Sequence, residues 1–253
     1  MNTAVAMPVA RSVSIYLRDA WYEFLRLLRA PAAAVPMLVF PAMFYLLFGV
    51  VFAGHNAQQA TWVLASMGAF GVMAPGLFGL GIGVAIERER GLLALKRALP
   101  VPPGAYLGAE MAMALLFALC IFLILALLAV GLGGVRLAPP QWLALLGSML
   151  LGVLPFCALG LLIGTLVSAQ AAPAIANLVY LPMSFLSGLW IPLKAMPALL
   201  RQLAPLWPAY HLGRLSLHAV GMASAPVLPH VEALLLMIVV FFALAVRRLR
   251  RTG

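Results

Sequence analysis

Residues 61–97 read TWVLASMGAFGVMAPGLFGLGIGVAIERERGLLALKR, a long uncharged run followed by a dense group of charges. The run from Thr61 to Ile86 has no charged residue over 26 positions. A helix of about 20 residues, rising 1.5 Å per residue, crosses the ~30 Å hydrocarbon core of a bilayer. The group that follows, residues 87–97, carries six of the chain's 22 charges and must lie outside the hydrocarbon. We call residues 87–97 the charged island.

The composition of the chain points to a membrane protein. It is 65% hydrophobic and 9% charged, with a mean hydropathy of +1.11. A soluble fold could not cover so much apolar surface. The apolar runs are long and do not alternate, which favours helices over barrel strands. The net charge of +10 is scattered in small groups that flank the runs, so we expect no nucleic-acid partner.

The apolar runs predict an all-α, polytopic protein with one transmembrane domain over residues 1–253. The run from Leu137 to Leu193 has 57 uncharged residues and would make a single helix ~85 Å long, so we expect a break near residues 168–173. The last run is short unless Glu232 lies at the membrane interface. Six spans are predicted, at about residues 32–54, 61–86, 105–133, 141–167, 173–190 and 227–246.

The basic residues indicate the orientation of the chain. With six spans and the N-terminus inside, 12 of the 16 lysines and arginines fall on the inner side. A five-span chain would place the C-terminal arginines outside, against the positive-inside rule. Both termini are therefore predicted to be cytoplasmic.

Two segments outside the spans have unusual patterns. Residues 12–29 place charged side chains on one helical face and apolar ones on the other, which predicts an amphipathic helix in the inner interface. This helix could be a simple anchor or an elbow that also contacts a partner. Residues 191–226 are apolar and proline-rich, which predicts short re-entrant helices on the outer side.

Several kinds of chemistry are disfavoured by the sequence. A phosphate-binding loop ends in Gly-Lys-Ser/Thr, but Lys96 and Lys194 each follow a leucine, so we expect no ATP hydrolysis by this chain. Gly79, Gly81 and Gly83 lie within a predicted span and indicate close helix packing.

Catalytic and metal sites are also disfavoured. No acidic residue falls at mid-span, which argues against ion-coupled transport. His211 and His218 lack nearby acidic or cysteine ligands, and Cys120 and Cys157 lie in apolar runs. We expect no metal site and no catalytic residue.

The island resembles a family motif. Ile86-Glu87-Arg88-Glu89-Arg90-Gly91-Leu92-Leu93, continuing to Leu99-Pro100, is similar to the E-R-E-x-G-T-L-x-x-L-x-x-x-P segment of ABC type-2 transporter permeases. Phe185-Leu186-Ser187-Gly188 and the prolines after it resemble a second segment of that family. The usual threonine is replaced by Leu92, and a frequent lysine before span three by Ala109.

The resemblance implies a coupling helix at residues 87–100 that docks on a separate ATPase subunit. An apolar stripe would enter a groove of the ATPase and charged residues would set the register. An ordinary amphipathic helix on lipid headgroups is the alternative. The residues assigned to ATPase coupling are Glu87, Arg88, Glu89, Arg90, Gly91, Leu92, Leu95 and Leu99.

The resemblance further implies the membrane-spanning subunit of an ABC exporter in the bacterial inner membrane. The chain itself would bind no cofactor, and ATP and Mg would be used by the ATPase subunit. It would pair with a second permease copy, as a homodimer or a heterodimer, among membrane lipids. Two alternatives are an intramembrane enzyme acting on a lipid or peptide, and a non-transporting scaffold for an ATPase.

The resemblance places the substrate path along spans two and five. Asn177, Tyr180 and Ser184 are spaced to share one face of span five, and Ser187 follows. These side chains could line the path or hydrogen-bond between packed helices. Because no charged residue lies at mid-span, the expected cargo is lipophilic or amphipathic, such as a drug, a lipid-like metabolite or a small peptide.

Overall fold

The regular secondary structure of the chain is helical throughout the part described by the computed structural model, residues 9–54, 56–92, 105–224 and 226–252. The predicted all-α class is therefore confirmed. Two of the helices continue as π-helical turns, at Tyr45–Val51 after α2 and at Pro75–Leu80 between α3 and α4. The α-helices are α1 (Val9–Leu28), α2 (Pro31–Phe44), α3 (Ala57–Ala74), α4 (Gly81–Glu89), α5 (Ala105–Gly131), α6 (Pro139–Leu166), α7 (Ala172–Leu186), α8 (Ala198–Leu203), α9 (Pro208–Ala219) and α10 (Leu228–Thr252).

Five helices of the described chain are long and apolar enough to cross a membrane, which makes this a multi-pass membrane protein. The uncertain last run forms α10, a helix of 25 residues. The remaining predicted span corresponds to α7, which has only 15 residues and is ~22 Å long. Helix α7 is therefore not among the five candidate spans, and the count of six spans stays a prediction. The five candidate spans are Ala34–Val51, Ala57–Glu89, Leu107–Gly131, Pro139–Leu166 and Leu228–Leu249.

The long helix from Ala57 to Glu89 lies at the centre of the bundle. Of its most apolar window, 72% is buried, against 11% for α10 at the periphery. It packs against α5, α6 and α9. The π-helical turn begins at Pro75, which has no N–H to donate to the preceding turn. This central helix carries the charged island at its end.

Four glycines bring the central helix into backbone contact with α6. A Cβ atom on Gly160 would lie 2.6 Å from the carbonyl oxygen of Gly76, and one on Gly164 would lie 2.6 Å from that of Gly81. Only residues without a side chain allow two helix backbones to approach so closely. We call Gly76, Gly81, Gly160 and Gly164 the glycine seam. The packing role predicted for Gly81 is confirmed.

The segment between α7 and α10 consists of short helical pieces. It contains α8, α9 and two 3-10 turns, Leu193–Ala195 and Ala204–Leu206. Helix α9 packs on α3, α6 and α10. His211 joins it to α10, because its Nδ1 atom lies 3.0 Å from Nδ1 of His230. The re-entrant position of this segment in a membrane stays a prediction.

Candidate functional site

The first residue of the charged island points into the protein. Glu87 is buried, and its Oε1 atom lies 4.0 Å from Nη1 of Arg26 on α1. Arg26 also pairs with Glu23 at 2.7 Å and with Glu110 on α5 at 3.2 Å. Glu110 is completely buried. One arginine therefore holds the amphipathic helix α1 against the ends of α4 and α5.

An aromatic contact supports the same junction. The rings of Phe24 on α1 and Phe117 on α5 have centroids 5.1 Å apart, and both side chains are buried. Trp21 stacks on Phe24 at the edge of this face, with ring centroids 5.6 Å apart, and is half-exposed. Tyr22, on the other side of α1, is exposed. Helix α1 is thus packed on the bundle by one face, and its other face is available to lipid or a partner. Whether it is a simple anchor or an elbow that contacts a partner stays a prediction.

The next two island residues hold the far end of α6. Arg88 donates hydrogen bonds from its guanidinium to the carbonyl oxygens of Thr165 and Val167, the second at 2.7 Å. The last carbonyls of an α-helix lack partners within the helix, and a cation there also interacts favourably with the helix dipole. The backbone N–H of Ala169 donates to Oε1 of Glu89 at 2.9 Å. We call the contacts of Arg88 and Glu89 with residues 165–169 the island clamp.

The island becomes exposed where α4 ends. Arg90 and Gly91 are exposed and Leu92 is half-buried. Gly91 has φ of +70°, a left-handed conformation that glycine adopts without strain, and it terminates the helix. The predicted coupling residues Leu95 and Leu99 lie outside the described residues.

The structure therefore divides the predicted coupling residues into two groups. Glu87, Arg88 and Glu89 bind other parts of this chain. Glu89 does so while its side chain stays exposed, and Arg90 and Gly91 continue the exposed surface. The sequence-based interpretation had all four charges on a rim facing a partner. The sequence did not indicate that the island contacts Arg26 and the α6 terminus, or that Arg26 also binds Glu110. A signal for Glu110 was present, since a glutamate at the start of a span needs a cationic neighbour.

The predicted path residues lie mostly inside the bundle. The Tyr180 hydroxyl is buried and donates to the carbonyl oxygen of Phe70 on α3 at 3.1 Å. The Ser184 hydroxyl is also buried; it donates to the carbonyl oxygen of Leu181 and accepts a hydrogen bond from Nε1 of Trp190 at 2.9 Å.

Asn177 and Ser187 complete this set. Asn177 is exposed and donates to the Pro173 carbonyl of its own helix at 3.1 Å. Ser187 is buried where α7 ends. Asn177 and Tyr180 thus do not share one open surface in a single chain. For Tyr180 and Ser184, the contacts favour the packing interpretation.

The structure pairs His211 with His230, whereas the sequence analysis considered His211 with His218. His211 contacts His230 and the carbonyl oxygen of Pro205, at 2.9 Å from its Nε2 atom, whereas His218 contacts the carbonyl of Ala223. The described residues contain no group of three or more His, Cys, Asp or Glu side chains arranged to hold a metal ion.

Comparison with known proteins extends these observations. Residues 18–220 match the ABC-2 type transporter family. The chain is also similar to a Bacillus subtilis (strain 168) protein named "Putative transport permease YvfS". The two are 29% identical over 204 residues, which cover 79% of this chain and 83% of the relative. The family match includes the second half of α1, the described part of the island, α7 and α9.

Proposed function

Because this chain belongs to the ABC-2 type transporter family, we propose that it is the membrane-spanning subunit of an ATP-driven exporter. It is a membrane transport permease rather than an enzyme, and its family works with an ABC ATPase. The proposal adds that a separate ATPase subunit uses ATP and Mg, docks on the charged island and drives export. A second copy of the permease completes the transporter.

The island clamp is the observation that carries this proposal. Arg88 and Glu89 join the end of the central helix to residues 165–169, which form the end of α6 and the turn that follows it. The glycine seam joins the same two helices between residues 76–81 and residues 160–164. A force on Arg90, at the end of α4, would therefore reach the end of α6 and the turn before α7 through the side chains of Arg88 and Glu89.

The same contacts support a two-state mechanism. Arg26 joins α1 to Glu87 of the island and to Glu110 on α5, so α1 would move together with the island. Closure of two ATPases would displace both islands, and α6 with α7 would follow as one body. Such rigid-body switching between two packed states is a usual mode of conformational change.

The exposed face of α7 supports a second permease copy. Leu178 is 68% exposed, and Leu181 and Phe185 are each 43% exposed on the same side of the helix as Asn177. An amide on an apolar exposed face is costly against lipid and acceptable at a helix contact or a water-filled path. We propose that this face meets the partner permease and that a lipophilic or amphipathic cargo passes beside it.

Co-purification tests the proposal. The affinity-tagged permease is expressed with the ABC ATPase encoded nearest to it, and captured in mild detergent. We expect the wild-type chain and Leu199→Ala, which truncates an exposed leucine far from the island, to retain the ATPase. Leu95→Ala should lose most of it, because a docking stripe depends on a few apolar anchors. Failure of the wild-type chain to capture any ATPase would refute the proposal.

A further inference from the structure

A cavity of about 420 Å³ lies at the end of the bundle opposite the charged island. It is half-open and is lined by the end of the first span, the first turns of α3 and the segment that follows α7. Its volume falls within the range of pockets that bind drug-sized ligands. None of the functional residues discussed above lines it. Its walls are formed chiefly by three aromatic residues and three amides: Phe48, Trp62, Trp190, Asn56, Gln58 and Gln59.

The aromatic wall is held in place by its own contacts. Trp190 donates from Nε1 to the Ser184 hydroxyl at 2.9 Å and stacks on Phe185 with centroids 4.9 Å apart. Its ring also meets Phe44 edge-on at 4.7 Å and Phe70 at 5.0 Å. A wall fixed in this way needs little ordering when a ligand binds, which favours affinity.

The opposite side of the cavity is polar and uncharged. Asn56 is the N-cap of α3, and its side-chain oxygen accepts a hydrogen bond from the backbone N–H of Gln59 at 3.1 Å. This cap fixes the first turn of α3, which carries the exposed amides of Gln58 and Gln59. No charged residue is among those of the described chain that line the cavity.

We propose that this cavity binds a neutral amphipathic molecule. Its apolar part would lie against Trp62, Trp190 and the buried Met67. Its head would carry hydroxyl, ester or amide groups that hydrogen-bond to Gln58 and Gln59, since an amide both donates and accepts. A charged head would lose hydration without gaining a counter-charge.

The role of this cavity as a cargo site rests on the proposed export function. Binding of the ligand itself requires no ATPase. The same neutral chemistry is found in bilayer lipids and in exported compounds. We assign the cavity to exported cargo, because it lies at the end where the predicted topology would release it. The binding experiment therefore uses the permease alone, and a second arm adds the ATPase.

The probe is tritiated 1-octanoylglycerol, measured at equilibrium on the full-length permease in nanodiscs, with empty nanodiscs as the blank. We expect saturable binding, an increase in Kd of about tenfold for Gln58→Leu/Gln59→Leu, and a similar loss for Trp62→Ala. Gln202→Leu and Trp21→Ala, which change exposed residues outside the cavity, should bind like the wild type. Unlabelled octyl phosphate and octyltrimethylammonium should compete weakly.

Equal binding by all variants would refute the proposed binding site. So would stronger competition by octyl phosphate or octyltrimethylammonium than by unlabelled 1-octanoylglycerol. Folding is checked by gel filtration. If Trp62→Ala misfolds, the Gln58→Leu/Gln59→Leu variant still tests the proposal, because it changes exposed residues. In the second arm, the ATPase and ATP are added to vesicles. Release of bound probe supports the cargo assignment, and retention overturns it while leaving the binding result intact. Failure of ATPase capture would affect the proposed function and not the binding data.

Discussion

The glycine seam makes a sharp prediction, because two glycines of α6 lie in opposite environments. A methyl group on Gly160 would meet the carbonyl oxygen of Gly76 at 2.6 Å and that of Leu77 at 2.8 Å, whereas ordinary contacts begin near 3.4 Å. Both neighbours are backbone atoms and cannot rotate away. A methyl group on Gly147, in the same helix, would meet nothing within 4 Å.

The size of the effect follows from these distances. To accept Gly160→Ala, the central helix must retreat from α6 by ~0.6–0.8 Å, which we expect to cost about 1–3 kcal/mol, as overpacked cores do. Replacing glycine by alanine inside a helix also contributes about 0.5–1 kcal/mol of stability. This gain is common to Gly160→Ala and Gly147→Ala and cancels in their difference. The two variants should therefore differ by about 1–3 kcal/mol in unfolding free energy.

Thermal unfolding of the two purified variants in one detergent measures this difference. For a chain of this size, about 1–3 kcal/mol corresponds to a Tm difference of ~2–12 °C. Gly160→Ala should unfold below Gly147→Ala, and Gly147→Ala at or slightly above the wild type. Equal unfolding temperatures, or a higher value for Gly160→Ala, would refute the conclusion that backbone contact joins the two helices.

Three further outcomes are expected. Arg88→Gln breaks the island clamp, so it should retain the ATPase in co-purification but lose export in vesicles. Arg90→Gln changes an exposed residue and should weaken ATPase capture. Equal ATPase capture by both variants would contradict the division of the island into a clamp and a docking surface. Tyr180→Phe removes one buried hydrogen bond and should lower stability by about 0.5–1.5 kcal/mol in thermal unfolding without changing the exported compounds. Burial disfavours the charged form of His211 and lowers its pKa. The stability that the neutral imidazole gives the fold is therefore present above about pH 6.5 and is lost as the pH falls toward the folded-state pKa. The drop in Tm between pH 7.5 and 5.5 should shrink in His211→Gln and persist in the exposed His218→Gln.

The helical class and the membrane environment followed from the sequence for a simple physical reason. Long uncharged runs must satisfy their backbone hydrogen bonds internally in lipid, and only a helix does this within one segment. The last span was the test of this reasoning. Glu232 shortens its apolar run, yet the positive-inside rule required a helix there, and α10 is present.

The location of the island was also predictable, but the partners of its charges were not. A dense charge group between two uncharged runs cannot enter hydrocarbon. Which of its residues bind within the chain depends on neighbours that are distant in sequence. Glu87 meets Arg26 of α1, and Arg88 meets the end of α6, 77 residues away. Pattern and spacing contain no information on such contacts.

The sequence by itself thus determined that this chain is a helical membrane protein with a dense charged segment outside its apolar runs, because hydropathy and charge act locally along the chain. Only the tertiary structure decided how that segment is used. Glycines 76 and 160 bring two backbones together, and that approach places Arg88 within reach of the unpaired carbonyls at the end of α6. Hydrogen bonds act over about 3 Å, so the division of the island into a clamp and an exposed end exists only once the helices are packed.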